Sequence, residues 1–269
     1  MTRTNWTDVL TVAGEIVDSY TDTSVTLRQL FYRLVAAEVL ANTTTAYKTL
    51  SARTAEARRE GTFPDLIDRT RTIHRHQTFT GPDDARAWLA AIYRRDRTEG
   101  QPWSVYLGVE KAGIVAQLQA WFGHLGVPIL ALGGYSSQSY VDDVVVDVSE
   151  TERPSVLLYA GDHDPSGEDI DRDFIARTGC FDKVVRVALD AAQVEQYQLP
   201  PQPGKADDSR AAGFVARHGA LVQVELDALP PEVLRGLYAD ALAGFWDESA
   251  YAAAIEREAH DQHQLEVGR

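Results

Sequence analysis

The stretch Val156-Leu157-Leu158-Tyr159-Ala160-Gly161-Asp162-His163-Asp164-Pro165-Ser166-Gly167 decides the fold. Its first five residues carry no charge and read as a buried strand, and the chain then breaks at Gly161 and Pro165. Asp162 and Asp164 therefore stand at the carboxyl end of a strand, the end at which open α/β sheets bind ligands. On extended backbone, residues two apart project to the same side, so the two carboxylates aim at one point while His163 faces elsewhere. Anions that close repel unless a hard divalent cation lies between them. Residues 103–109 form a second apolar run, which ends at Glu110 and leads through Lys111, Ala112 and Gly113 into a helical stretch. Glu110, Asp162 and Asp164 thus compose a three-carboxylate site for Mg²⁺, or for Mn²⁺ in its place.

A strand ending in Glu110, followed about fifty residues later by Asp162-His163-Asp164, resembles the Toprim domain of topoisomerases, primases and related nucleases. Asp164-Pro165-Ser166-Gly167 is similar to the Asp-Pro-x-Gly that follows the acid pair in the A subunit of topoisomerase VI and in its meiotic double-strand-break relatives. Upstream, Thr26-Leu27-Arg28-Gln29-Leu30-Phe31-Tyr32 resembles the segment that carries the catalytic tyrosine of those transesterases. The resemblance implies Tyr32 as nucleophile and Arg28 as its neighbouring cation. Glu110 is then a further metal ligand or the acid/base serving the leaving sugar oxygen. It also implies an α/β architecture: a helical, winged-helix-like DNA-binding domain over residues 1–98, then a mostly parallel Toprim domain over 99–269 with a C-terminal helical extension. A homodimer and a separate ATPase or accessory subunit follow from the resemblance alone. The likeness covers roughly residues 20 to 190, and the family's Lys-Gly-x-Pro-Asp turn is absent.

Three functions are compatible with these residues. One is Mg²⁺-dependent DNA cleavage by tyrosine transesterification; another is a Toprim nuclease that hydrolyses DNA with metal-activated water. The last is a DNA-binding module without catalysis.

The 269 residues are 44% hydrophobic and 25% charged, a globular composition. Cys180 is the lone cysteine, which excludes an internal disulfide and a Cys-rich zinc site. The first residues lack a signal-peptide core and no run of 18 apolar residues occurs, which predicts a cytoplasmic protein. The net charge of −14 opposes phosphate binding, but its distribution is uneven. Residues 1–97 hold 14 basic and 12 acidic side chains, whereas 98–269 hold 12 and 28. A DNA-facing surface is expected in the first part.

Apolar spacing predicts helices over 6–20, 25–37, 45–59 and 85–97. In the third of these Lys48, Arg53, Arg58 and Arg59 point outward as DNA contacts, with Lys111 a further cation beside the acids. Residues 66–76 form a basic run that includes His74 and His76. The glycine-rich strand end at 133–139 offers Ser136 and Ser137 to phosphate. Residues 222–227 alternate like a strand and put Glu225 and Asp227 on one face, available to a second metal. Residues 240–263 read as a charged helix, either an exposed tail or a dimer contact.

Overall fold

The computed structural model describes residues 5–20, 25–67, 76–134, 136–202 and 208–267. Four helices come first: α1 (Trp6–Asp18), α2 (Leu27–Ala36), α3 (Thr44–Arg59) and α4 (Pro82–Ile92). α2 opens on a capping box, in which the Thr26 hydroxyl accepts the Gln29 N–H while the Gln29 side chain accepts the Thr26 N–H. Gln29, Leu30, Phe31, Tyr32 and Leu34 are buried, so α2 is covered on most of its circumference. Among the described residues of this part no pair of wing strands forms; its one β-bridge joins Thr26 to Ile67. Most of the basic run at 66–76, His74 included, lies outside the described residues, and His76 is exposed.

An alternating βα unit follows: β1 (Ser104–Val109), α5 (Ala112–Phe122), β2 (Ile129–Ala131), α6 (Gln138–Ser149), β3 (Ser155–Ala160), α7 (Pro165–Thr178) and β4 (Lys183–Ala188). All pairings are parallel, in the order β2-β1-β3-β4. Every residue of β1 and β3 is buried, as expected of central strands covered on both faces. The β1–β3 register pairs Val109 with Ala160. The first residues beyond the two strands, Glu110 and Gly161, are thereby placed side by side.

The chain ends with α8 (Ala191–Gln196), α9 (Ala211–His218), a 3₁₀ turn (Leu226–Ala228), α10 (Pro231–Ala243) and α11 (Glu248–Val267). Two expectations are corrected here. The alternating segment at 222–227 is not a strand but is held by two single bridges, His163 to Val224 and Gln202 to Gln223. Nor is 240–263 one exposed helix. It breaks between α10 and α11, where the Asp247 carboxylate accepts the amides of Ser249 and Ala250 and starts a new helix.

α11 packs against α4. α4 stops at Ile92 because Tyr93 turns extended, which lets residues 93–97 run alongside α11. Glu258, 4% exposed, there accepts from the Arg97 guanidinium at 2.5 and 2.9 Å and from the Arg95 amide at 3.0 Å.

One apolar core takes in Leu30 and Leu34 of α2 together with Val105, Leu107, Val156 and Leu158 of the sheet, so packing is continuous across residue 98. A buried amide pair fixes α2 on α5. Gln29 Nε2 donates to Gln117 Oε1 at 2.9 Å, and Gln117 Nε2 donates to Gln29 Oε1 at 2.8 Å. Gln117→Ala leaves the Gln29 amide buried without that partner. A loss of about 1–3 kcal/mol in denaturant unfolding is expected, the scale of an unsatisfied buried group. No helix among the described residues is long and apolar enough to cross a membrane.

Candidate active site

Glu110, Asp162 and Asp164 converge at the carboxyl edge of β1 and β3. The Asp162 amide donates to Glu110 Oε2 at 2.8 Å, and the Glu110 amide donates to the Ala160 carbonyl at 2.9 Å. Asp164 caps α7 through Oδ1, which accepts the Gly167 amide at 2.6 Å. Gly167 is pressed against the site: a Cβ built there would lie 3.1 Å from Glu110 Oε2 and 2.6 Å from the Asp162 backbone carbonyl oxygen. From β4, Arg186 donates to that same Asp162 carbonyl at 2.7 Å and pairs with Asp171, which pins the loop from behind.

Gly167 is therefore required by contact. Gly167→Ala must push the Asp162 carbonyl or Glu110 aside, and a destabilisation of about 1–3 kcal/mol, the usual scale of overpacking, is expected in chemical denaturation.

The segment at 222–227 completes the cluster. His163 and Val224 exchange amide-to-carbonyl bonds of 2.9 and 3.0 Å, and the Leu226 amide donates to Asp162 Oδ1 at 2.8 Å. Glu225 and Asp227 are thus drawn toward Asp162. The Lys111 ammonium lies 2.9 Å from Asp162 Oδ2, 2.7 Å from Glu225 Oε2 and 3.5 Å from Asp227 Oδ2. Expected as a DNA contact, Lys111 is half-buried and held as a counter-ion to these acids.

Arg28 reaches the same group from α2. It pairs with Glu225, lies 3.0 Å from Asp227, and sets its guanidinium 5.7 Å from the centre of the Tyr32 ring. The Tyr32 hydroxyl accepts a hydrogen bond from Gln202 Nε2, which also donates to Glu225 Oε1 at 2.8 Å. Tyr32 and Arg28 therefore stand beside the acids within a single chain. A cavity of about 450 Å³ opens beside them, lined by Arg28, Tyr32, Thr43, Tyr47, Gln202 and Glu225.

Five carboxylates, those of Glu110, Asp162, Asp164, Glu225 and Asp227, face two cations, Lys111 and Arg28. If all were ionised, three negative charges would be left without a counter-charge. Several of these carboxyls bind their protons more tightly than usual, chiefly because they are buried. Burial, then the charge of Asp162, pushes the Glu110 carboxyl up to about 7. Burial likewise raises Asp164 and Asp227 above the ordinary carboxylate range, against the pull of the Gly167 amide on the former and of Lys111 on the latter. Hard oxygen donors with surplus negative charge are the donor set of Mg²⁺ or Mn²⁺, so the residues present fit such an ion. Burial also raises the Tyr32 phenol, which Arg28 opposes.

The Glu110 shift gives a pH-dependence of known sign. Without metal, the folded protein holds the Glu110 proton up to about pH 7, whereas the unfolded chain releases it near its ordinary value of 4.5. Between those limits the folded state binds more protons, so the contribution of Glu110 to stability falls as pH rises and levels off above about 7. Melting in EDTA across this window should show that slope in the wild type and a flatter one in Glu110→Gln. Identical slopes would exclude the shift.

The four basic residues expected to meet DNA are all on α3. Lys48, Arg53 and Arg59 are exposed, Arg53 pairs with Glu56 at 3.3 Å, and the half-buried Arg58 donates to the Thr54 carbonyl. The first turn of that helix lines the Tyr32 cavity through Thr44 and Tyr47. Ser137 caps α6, and the Ser136 carbonyl accepts from Arg177. Gln202 was not singled out by the sequence, where it sits among prolines. Its role follows from a fold-back that no local pattern encodes.

Comparison with known protein families finds none that matches this chain, and comparison with curated proteins finds no significant relative.

Proposed function

We propose that this protein cleaves DNA by Mg²⁺-dependent tyrosine transesterification, in the manner of the topoisomerase VI A subunit. One observation carries the reading: on a helix some eighty residues upstream of Glu110, Arg28 pairs with Glu225 and Asp227 and Tyr32 is joined to Glu225 through Gln202, while Lys111 links Glu225 to Asp162 beyond the end of β3. Packing alone does not call for an arginine, a lysine and a phenol beside several buried carboxylates.

In this scheme Asp162 and Asp164 would hold Mg²⁺, with Glu110 a further ligand or the acid/base, and the ion would supply Lewis-acid polarisation of the scissile phosphate. The Tyr32 oxygen attacks phosphorus and forms a P–O bond while the bond to the leaving sugar oxygen breaks. The phenolic proton passes to water in the adjoining cavity. Where Glu110 is not a ligand, its carboxyl, which burial raises, donates a proton to the leaving oxygen; where it is a ligand, water supplies that proton. Arg28 lowers the cost of forming phenolate next to so many acids. Exposed cations on α3 contact the DNA backbone, in a winged-helix-like role for residues 1–98, and the remainder serves as a Toprim domain. The protein works in the cytoplasm as a homodimer, with a separate ATPase or accessory subunit where strand passage is the task. Tyr32 stands near the acid cluster of its own chain, joined to Glu225 through Gln202, so in this scheme the dimer pairs two cuts.

One observation favours hydrolysis by metal-activated water instead: burial raises the Tyr32 phenol and Gln202 already occupies its oxygen. Denaturing electrophoresis of end-labelled DNA separates the two. Transesterification leaves label on the protein, whereas hydrolysis leaves cut DNA without it. A binding module without catalysis gives neither.

A further inference from the structure

We infer that His163, Glu168 and His218 form a second cation site, distinct from the carboxylate cluster and suited to a late first-row divalent metal, Zn²⁺ foremost. His163 sits between Asp162 and Asp164, so the alternation that sends the acids one way sends its imidazole the other. There the residue is 3% exposed, with its ring 5.0 Å from that of Phe214 and 4.9 Å from that of His218, both on α9. Glu168 arrives from the first turn of α7. One ligand atom from each of the three lies within 4.8 Å of the other two. His218 Nε2 is 2.5 Å from Glu168 Oε1, while Arg217 holds the other Glu168 oxygen at 2.6 Å. Phe214, 4.4 Å from the His218 ring, closes the group with an apolar wall.

The second observation is the state of His163 itself. Its Nδ1 is buried and has no hydrogen-bond partner among the described residues. A neutral imidazole has one donor and one acceptor nitrogen, and an unmatched one in the interior is unfavourable. Donating the lone pair of a ring nitrogen to a metal gives the imidazole a partner. Two imidazoles and one carboxylate are too rich in nitrogen for Mg²⁺, but they are the donor set of three-ligand zinc sites that keep a fourth position open. Tetrahedral coordination at about 2.0–2.1 Å sets ligand atoms roughly 3.3 Å apart, so the closest pair here must open and the others draw in by side-chain movement alone. A bound ion would tie α7 and α9 to the loop between the two acids of the proposed active site. This inference does not depend on what that active site does.

The test is Co²⁺ titration of the metal-free protein in excess Mg²⁺, read by visible ligand-field absorption and by displacement with Zn²⁺. One equivalent is expected to bind with the intense bands of low coordination. His218→Ala and Glu168→Gln, each shown folded by circular dichroism, should weaken it by at least about a hundredfold, more than losses in the outer shell usually cause. Asp164→Asn should leave it intact. Absence of Co²⁺ and Zn²⁺ binding, equal affinity in the wild type and Glu168→Gln, or loss of binding in Asp164→Asn would each overturn the assignment. Mg²⁺ binding to wild type and Asp162→Asn/Asp164→Asn, measured separately, reports on the carboxylate cluster alone.

Discussion

Tyr32→Phe is expected to eliminate the covalent protein–DNA product that the proposed mechanism requires, while leaving the fold unchanged. The substitution removes one oxygen from a 5% exposed side chain, and the ring contact with Phe31 at 5.4 Å persists. What is lost is the acceptor of the Gln202 hydrogen bond, and that amide keeps Glu225 as a partner. The stability cost is that of one hydrogen bond, about 1 kcal/mol. A complete loss of adduct is expected, because the one other tyrosine lining the cavity, Tyr47, makes no hydrogen bond to Gln202 or Glu225 among the described residues. Labelled DNA that stays with the protein after denaturation measures the effect directly. Persistence of the adduct in Tyr32→Phe would reassign the nucleophile. Cleavage without adduct in both proteins would favour hydrolysis.

Asp162→Asn with Asp164→Asn is the second large effect. Asparagine is chosen because both acids also have backbone duties. Asp164 Oδ1 caps α7 and Asp162 Oδ1 receives the Leu226 amide, and an asparagine Oδ1 accepts equally well in both places. The exchange therefore keeps both backbone contacts and subtracts two charges, giving up the Asp162–Lys111 ion pair while Lys111 retains Glu225 and Asp227. Loss of a metal's charge stabilisation is worth several kcal/mol in a transition state, so cleavage should fall on the order of 10³-fold or more. DNA binding by the α3 face should persist. A double variant that cuts at near wild-type rate would remove these acids from the chemistry.

Much of this arrangement was legible locally. Apolar runs at 103–109 and 156–160, each ending in an acid, gave two strands, and both are central and fully buried. The period-two argument separated His163 from its flanking acids, and His163 does pack on Phe214 and His218 while Asp162 meets Lys111 and the Leu226 amide. The helix expected over 25–37 starts two residues late, at Leu27, because Thr26 and Gln29 close a capping box there.

Long-range pairing was not legible. The alternation at 222–227 reads as a strand, but the Asp162 side chain takes the Leu226 amide that a neighbouring strand would have needed, and the chain curls into a 3₁₀ turn. The charges of α11 read as a solvated tail because their partners, Arg95 and Arg97, lie some 160 residues away. Lys111 looked like a phosphate contact for the same reason: the acids that hold it, Glu225 and Asp227, come from the far end of the chain.

The central claim is that carboxylates from β1 and β3 assemble around a divalent cation. Isothermal titration of Mg²⁺ into the wild type and into Asp162→Asn/Asp164→Asn tests it without reference to DNA or activity. Saturable heat in the wild type that vanishes in the double variant is the predicted result; indistinguishable titrations of the two folded proteins would contradict it.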